Sequence, residues 1–61
     1  MGDLELEIAS LLGAYRYALK IEGIARRLRR PLGLVEEVVI KLEGESRVRI
    51  TWHSRRVKLL S

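Results

Sequence analysis

The side chains best placed to do chemistry in this 61-residue chain are its arginines. They fall in two groups. Arg26, Arg27, Arg29 and Arg30 bracket one short stretch, and Arg47, Arg49, Arg56 and Lys58 take alternate positions in the last segment. Alternation puts the second group on one face of a pair of strands. Cations gathered on one surface bind phosphates, and each phosphate neutralised releases condensed counterions from a nucleic acid. Lys41 stands apart, among glutamates.

Other chemistries find little support. With no cysteine there is no thiol nucleophile, disulfide or Cys-based zinc site. His53 is the only histidine and cannot build a metal site alone. Glu36 and Glu37 are adjacent, so on a helix they diverge by about 100° and cannot converge on a substrate as an acid/base pair. A Gly-rich phosphate loop is absent. The expectation is a binding protein, not an enzyme, with no cofactor.

The net charge of +4 conceals blocks. Residues 1–15 carry three acids and no cation, and residues 16–30 carry six cations against Glu22. Residues 31–45 set Lys41 against four glutamates, and residues 46–61 hold five cations and no acid. Asn, Gln, Cys and Phe are all missing, a composition that fits a thermophile. No apolar run reaches the roughly 20 residues of a membrane span. The acidic N-terminal residues lack a signal-peptide n-region, so an intracellular, cytoplasmic location is expected.

The elements that must position these groups follow from periodicity. Residues 1–61 form a single domain, with helices predicted at about 3–15, 20–29 and 31–43 and a hairpin at about 46–60. Leu4, Ile8, Leu11, Leu12 and Tyr15 make the first amphipathic stripe, with Leu6 off it and Asp3 as a plausible N-cap. Residues 16–19 read as a helix tail, a loop or a short strand. Ile21, Ile24, Ala25 and Leu28 make the second stripe, in which Gly23 offers close approach to another backbone. Pro31 suits the first turn of the third helix, whose stripe is Val35, Val38, Val39 and Leu42, and Gly44 reads as its stop. Val48 and Ile50 then alternate with cations, as do Val57 and Leu59. A turn centred on His53-Ser54, or a wider loop from Trp52 to Arg55, sets Ile50 opposite Val57 and Val48 opposite Leu59. Trp52 then shares the apolar face and packs at the hairpin root, the alternative being a ring near the tip that stacks on a base or wedges against a groove.

In this order of helix, helix, turn, helix and hairpin the chain resembles the winged helix-turn-helix superfamily. The likeness rests on Ile24-Ala25, Leu28, Val35 eleven residues after Ile24, then Val39, Leu42 and Gly44, and it covers nearly the whole chain. It implies an α+β domain: a three-helix winged helix-turn-helix with a C-terminal two-stranded β-hairpin wing, of a kind frequent in archaea and their viruses. It implies a brief strand near residues 16–19. It also implies double-stranded DNA as partner, transcription regulation or chromatin association as the role, and a homodimer paired through the first helix, where Leu6 or Tyr17 would serve.

The expected DNA contacts are Arg26, Arg27, Arg29, Arg30, Lys41, Arg47, Arg49, Arg56 and Lys58. One face resists this assignment. The outward residues of the third helix are Gly33, Glu36, Glu37, Ile40 and Lys41, and two carboxylates there oppose a polyanion. Leu32, Gly33, Glu36, Glu37 and Ile40 instead compose an alternative protein-contact face. Intramolecular pairing of the arginines with Glu22, Glu36 or Glu37 is the competing use of the first cationic group.

Overall fold

The computed structural model describes residues 2–15 and 17–60. The order is α1 (Gly2–Gly13), β1 (Leu19–Lys20), α2 (Ile21–Leu28), α3 (Leu32–Gly44), β2 (Val48–Thr51) and β3 (Arg56–Leu59). The fold is α+β, three helices against a small antiparallel sheet. The sheet has three strands in the order β1-β3-β2: the expected hairpin, and a brief strand close to the one that the resemblance implies near residues 16–19. The brief strand is β1, which pairs Leu19 with Val57 and Lys20 with Arg56. It begins at the last of the ambiguous residues and takes Lys20 from the expected second helix.

The hairpin register agrees with the alternation: Val48 faces Leu59, Arg49 faces Lys58, Ile50 faces Val57 and Thr51 faces Arg56. The connection is the wider, four-residue loop 52–55. Trp52 stands in that loop 47% exposed, so it completes no core at the hairpin root. One sheet face is dry because Leu19, Val48, Ile50 and Val57 are buried. Period two leaves the other face to Lys20, Arg49, Thr51, Arg56 and Lys58, all exposed.

The helices cover the dry face. Leu4, Ile8 and Leu12 of α1 lie at i, i+4 and i+8 and are buried. Ile21, Ile24 and Ala25 of α2 and Val35, Val39 and Leu42 of α3 join them in one core. Leu11, Tyr15, Leu28, Val38 and Leu59 pack around its margin. α1 begins at Gly2, so Asp3 lies within the first turn, where an acid complements the helix dipole, and is not the cap. Pro31 sits one residue outside α3, and its carbonyl accepts the first bond of the ladder, from Val35 N–H at 3.1 Å.

Both α2 and α3 end in a Schellman motif, and neither uses glycine. After α2, Arg29 takes a left-handed φ of 56°, and Arg30 N–H donates to the Ala25 carbonyl at 3.0 Å. After α3, Ser46 takes φ of 60°, and Arg47 N–H donates to the Leu42 carbonyl at 2.9 Å. Gly44 is therefore the last helical residue and not the left-handed stop expected of it. Gly23 has no backbone close by: an added Cβ would meet the tip of the Arg27 side chain at 3.2 Å. No helix among the described residues is long and apolar enough to cross a membrane.

Candidate nucleic-acid interface

The structure sorts the cations by what already holds them. Lys41 Nζ donates to Glu5 at 2.9 Å, joining α3 to α1. Arg47 lies 3.7 Å from Glu5 and 3.8 Å from Glu45. Arg30 pairs with Glu7 at 3.2 Å. These three expected DNA contacts thus close acidic elements of their own chain. The Lys41 hydrogen bond is the largest cause holding the Glu5 carboxyl below its ordinary range, and the Lys41 ammonium is raised in turn.

Glu22 and Glu36, proposed partners of the first arginine group, go to Arg55 instead. Arg55 stands in the β2–β3 loop at φ of 54°. Its backbone carbonyl accepts Ile21 N–H at 2.9 Å, while its guanidinium bridges Glu22 of α2 and Glu36 of α3. The loop is thereby tied to two helices. Hydrogen bonds to these carboxylates raise Arg55 above its ordinary value, and the same bond lowers Glu22. Sequence reasoning overlooked Arg55 because it stands outside the strand alternation. Its partners lie 33 and 19 residues away, a distance at which no periodicity reports contact.

Arg27 is held differently. Its guanidinium lies 5.4 Å from the Tyr15 ring centroid, and its Nε donates to the Tyr15 hydroxyl at 3.3 Å. Arg26 and Arg29 are exposed and have no acidic partner among the described residues.

The outer face of the sheet is different again. Lys20, Arg49, Arg56 and Lys58 are exposed, share that face, and have no acidic partner among the described residues. The register sets them in two directly opposed like-charge pairs, Lys20 with Arg56 and Arg49 with Lys58. Cations directly opposite across strands repel. The central strand β3 carries two of the four, so the patch runs across all three strands. Lys20 was missing from the expected set because it had been read as helical. Thr51 is the remaining outward strand side chain, and none of the described strand residues on this face is aromatic.

The outward side of α3 carries acids and apolar side chains. Glu36 is engaged with Arg55, Glu37 is exposed without a cationic partner among the described residues, and Leu32, Gly33 and Ile40 are exposed. The two free cationic groups lie on the outer sheet face and at the end of α2. Lys20 enters the N-terminus of α2, whereas Arg26 lies six residues on, roughly 9 Å along the helix axis. Leu6 and Tyr17, the expected dimer residues, are both exposed. Comparison with protein-family models, curated proteins and solved structures found no match to this chain.

Proposed function

We propose that this chain is a small basic module, of winged-helix-like layout, that holds duplex DNA through its phosphates and serves transcription control or DNA packaging. The observation that carries the reading is the outer sheet face, where two like-charge pairs stand opposed with no acidic partner among the described residues. A polyanion supplies the missing countercharge. Three helices and a β1-β3-β2 sheet are compatible with the winged-helix layout. Duplex is favoured over single strand because a single-strand platform stacks bases on aromatic rings, and the described strand residues of this face include none.

The principal contacts are Lys20, Arg49, Arg56 and Lys58, with Arg26 and Arg29 as an outlying pair. Major-groove reading by α3 has poor support. Its one exposed cation, Lys41, is committed to Glu5, and Glu37 would have to enter the groove uncompensated. The module therefore binds with little sequence preference.

The test compares two sets of neutralised variants on a labelled duplex at low salt. Arg49→Gln, Arg56→Gln and Lys58→Gln together should weaken binding by more than about tenfold. Lys41→Gln with Arg47→Gln, which removes cations already paired, should stay within about threefold of the parent. No binding of the parent chain to any duplex at low salt would sink the proposal.

A further inference from the structure

A cleft of about 410 Å3 opens between α1 and α3. Its floor is apolar, built from Leu4, Leu34 and Val38. Leu34 is 42% exposed there and Val38 only half-buried, so apolar surface remains in contact with solvent. Among the charged groups at the rim, Lys41 and Glu5 satisfy each other, and Arg30 is held by Glu7. Two carboxylates are left over. Asp3 stands on the α1 bank and Glu37 on the α3 bank, both exposed and without a cationic partner among the described residues.

We infer that this cleft docks a cationic amphipathic segment of a partner protein. One apolar side chain of the segment rests over Leu34 and Val38, and a lysine or arginine on either side of it reaches Asp3 and Glu37. Charge selects this occupant. A nucleic acid would meet two unmatched carboxylates, and a second copy packed cleft to cleft would bring its own Asp3 and Glu37 into the same interface and add no free cation. The face differs from the protein-contact surface that the sequence indicates on α3, since it is centred on Leu34 and Val38 and shares only Glu37 with it. The cleft lies among the helices and the cationic sheet face points away from them, so a basic partner and a polyanion are held at separate surfaces. The inference stands whether or not the chain binds DNA.

The experiment is a methyl and amide NMR titration of the whole chain. The probe is a short synthetic helix-forming peptide with leucines at i, i+3, i+4 and i+7 and lysines elsewhere. Saturable shifts of the Leu4, Leu34 and Val38 methyls are expected. The Asp3→Asn, Glu37→Gln double variant, folded by its amide spectrum, should bind the peptide about fivefold more weakly, as expected for two solvent-exposed ion pairs. It should keep the parent's duplex affinity, which separates this result from the DNA measurement. The same peptide with glutamates for lysines should leave these methyls in place. The inference is overturned by an absence of saturable methyl shifts, by equal affinity of the double variant, or by an equal response to the acidic peptide. Shifts of these methyls with protein concentration alone would assign the cleft to a second copy and overturn it too.

Discussion

At the scale of the residue, the left-handed positions are the most telling. Among the described residues Arg29, Ser46 and Arg55 have positive φ, and no glycine does. Left-handed backbone crowds Cβ, so glycine usually takes such sites at helix ends. Arg55 has a structural reason to stand where it does, because its carbonyl and guanidinium together fasten the loop to α2 and α3. Arg29 has none: its side chain is exposed and has no acidic partner among the described residues. A cation kept at a conformational cost is consistent with contact to a ligand outside the chain. Arg29→Gly should therefore raise stability by up to about 1 kcal/mol, the relief at Cβ being partly offset by chain entropy. The same change should lower duplex affinity at low salt. Urea unfolding and a binding isotherm on one sample check both, and a variant with reduced stability would show that Arg29 supports the α2–α3 turn instead.

At the scale of the element, the legible parts were those with a period. The three helical stripes and the hairpin register follow from spacing alone, and Val48, Ile50 and Val57 are buried as alternation requires. The failures have physical causes. β1 is two residues long, too short for any period, so spacing left this stretch open among tail, loop and strand, and the strand exists because β3 offers it an edge. The end of α3 was misread because glycine marks a left-handed site only by preference, and here Ser46 fills it. Of the candidate site, Arg49, Arg56 and Lys58 on the outer sheet face were legible, but Lys20 beside Arg56 and the loss of Arg30, Lys41 and Arg47 to Glu7 and Glu5 were not. Those pairs join α1 to the α2–α3 turn, to α3 and to the approach to β2, and only the tertiary packing creates them. The legible face also yields an opposing pair of effects. Lys58→Glu turns the Lys58–Arg49 repulsion into an attraction, so the sheet should gain about 0.5–1 kcal/mol. Duplex affinity should fall by about tenfold or more, since a phosphate contact becomes a repulsion. A thermal melt beside a low-salt titration reads the trade. Loss of both stability and binding would mean that Lys58 is needed for folding, and unchanged binding would remove the sheet from the interface.

At the scale of the whole molecule, the charge is segregated. The acids of α1, α2 and α3 are matched largely by Arg30, Lys41, Arg47 and Arg55, and the excess behind the net charge of +4 lies mainly on the sheet and at the end of α2. The domain is small, with a radius of gyration of 10.0 Å, and chains of this size are marginally stable. A polyanion that binds the folded sheet should therefore act visibly on unfolding. At a duplex concentration about 100 times Kd, linkage adds about 2.7 kcal/mol. For a domain of 60–100 residues, each kcal/mol moves Tm by about 4–8 °C, so the melt should rise by roughly 10–20 °C at low salt. Four sheet cations, each neutralising one phosphate, predict that log affinity falls against log salt with a slope of about −3.6. The gain in Tm should shrink along the same line and differ little between duplex sequences. The unfolded chain carries the same formal charge but scatters its cations, so the comparison that matters is with Lys58→Glu, whose melt should respond far less to duplex. A parent melt unmoved by duplex at low salt, or a slope near zero, would leave the opposed cations of the sheet unrelieved by DNA and end the case for a phosphate-binding face.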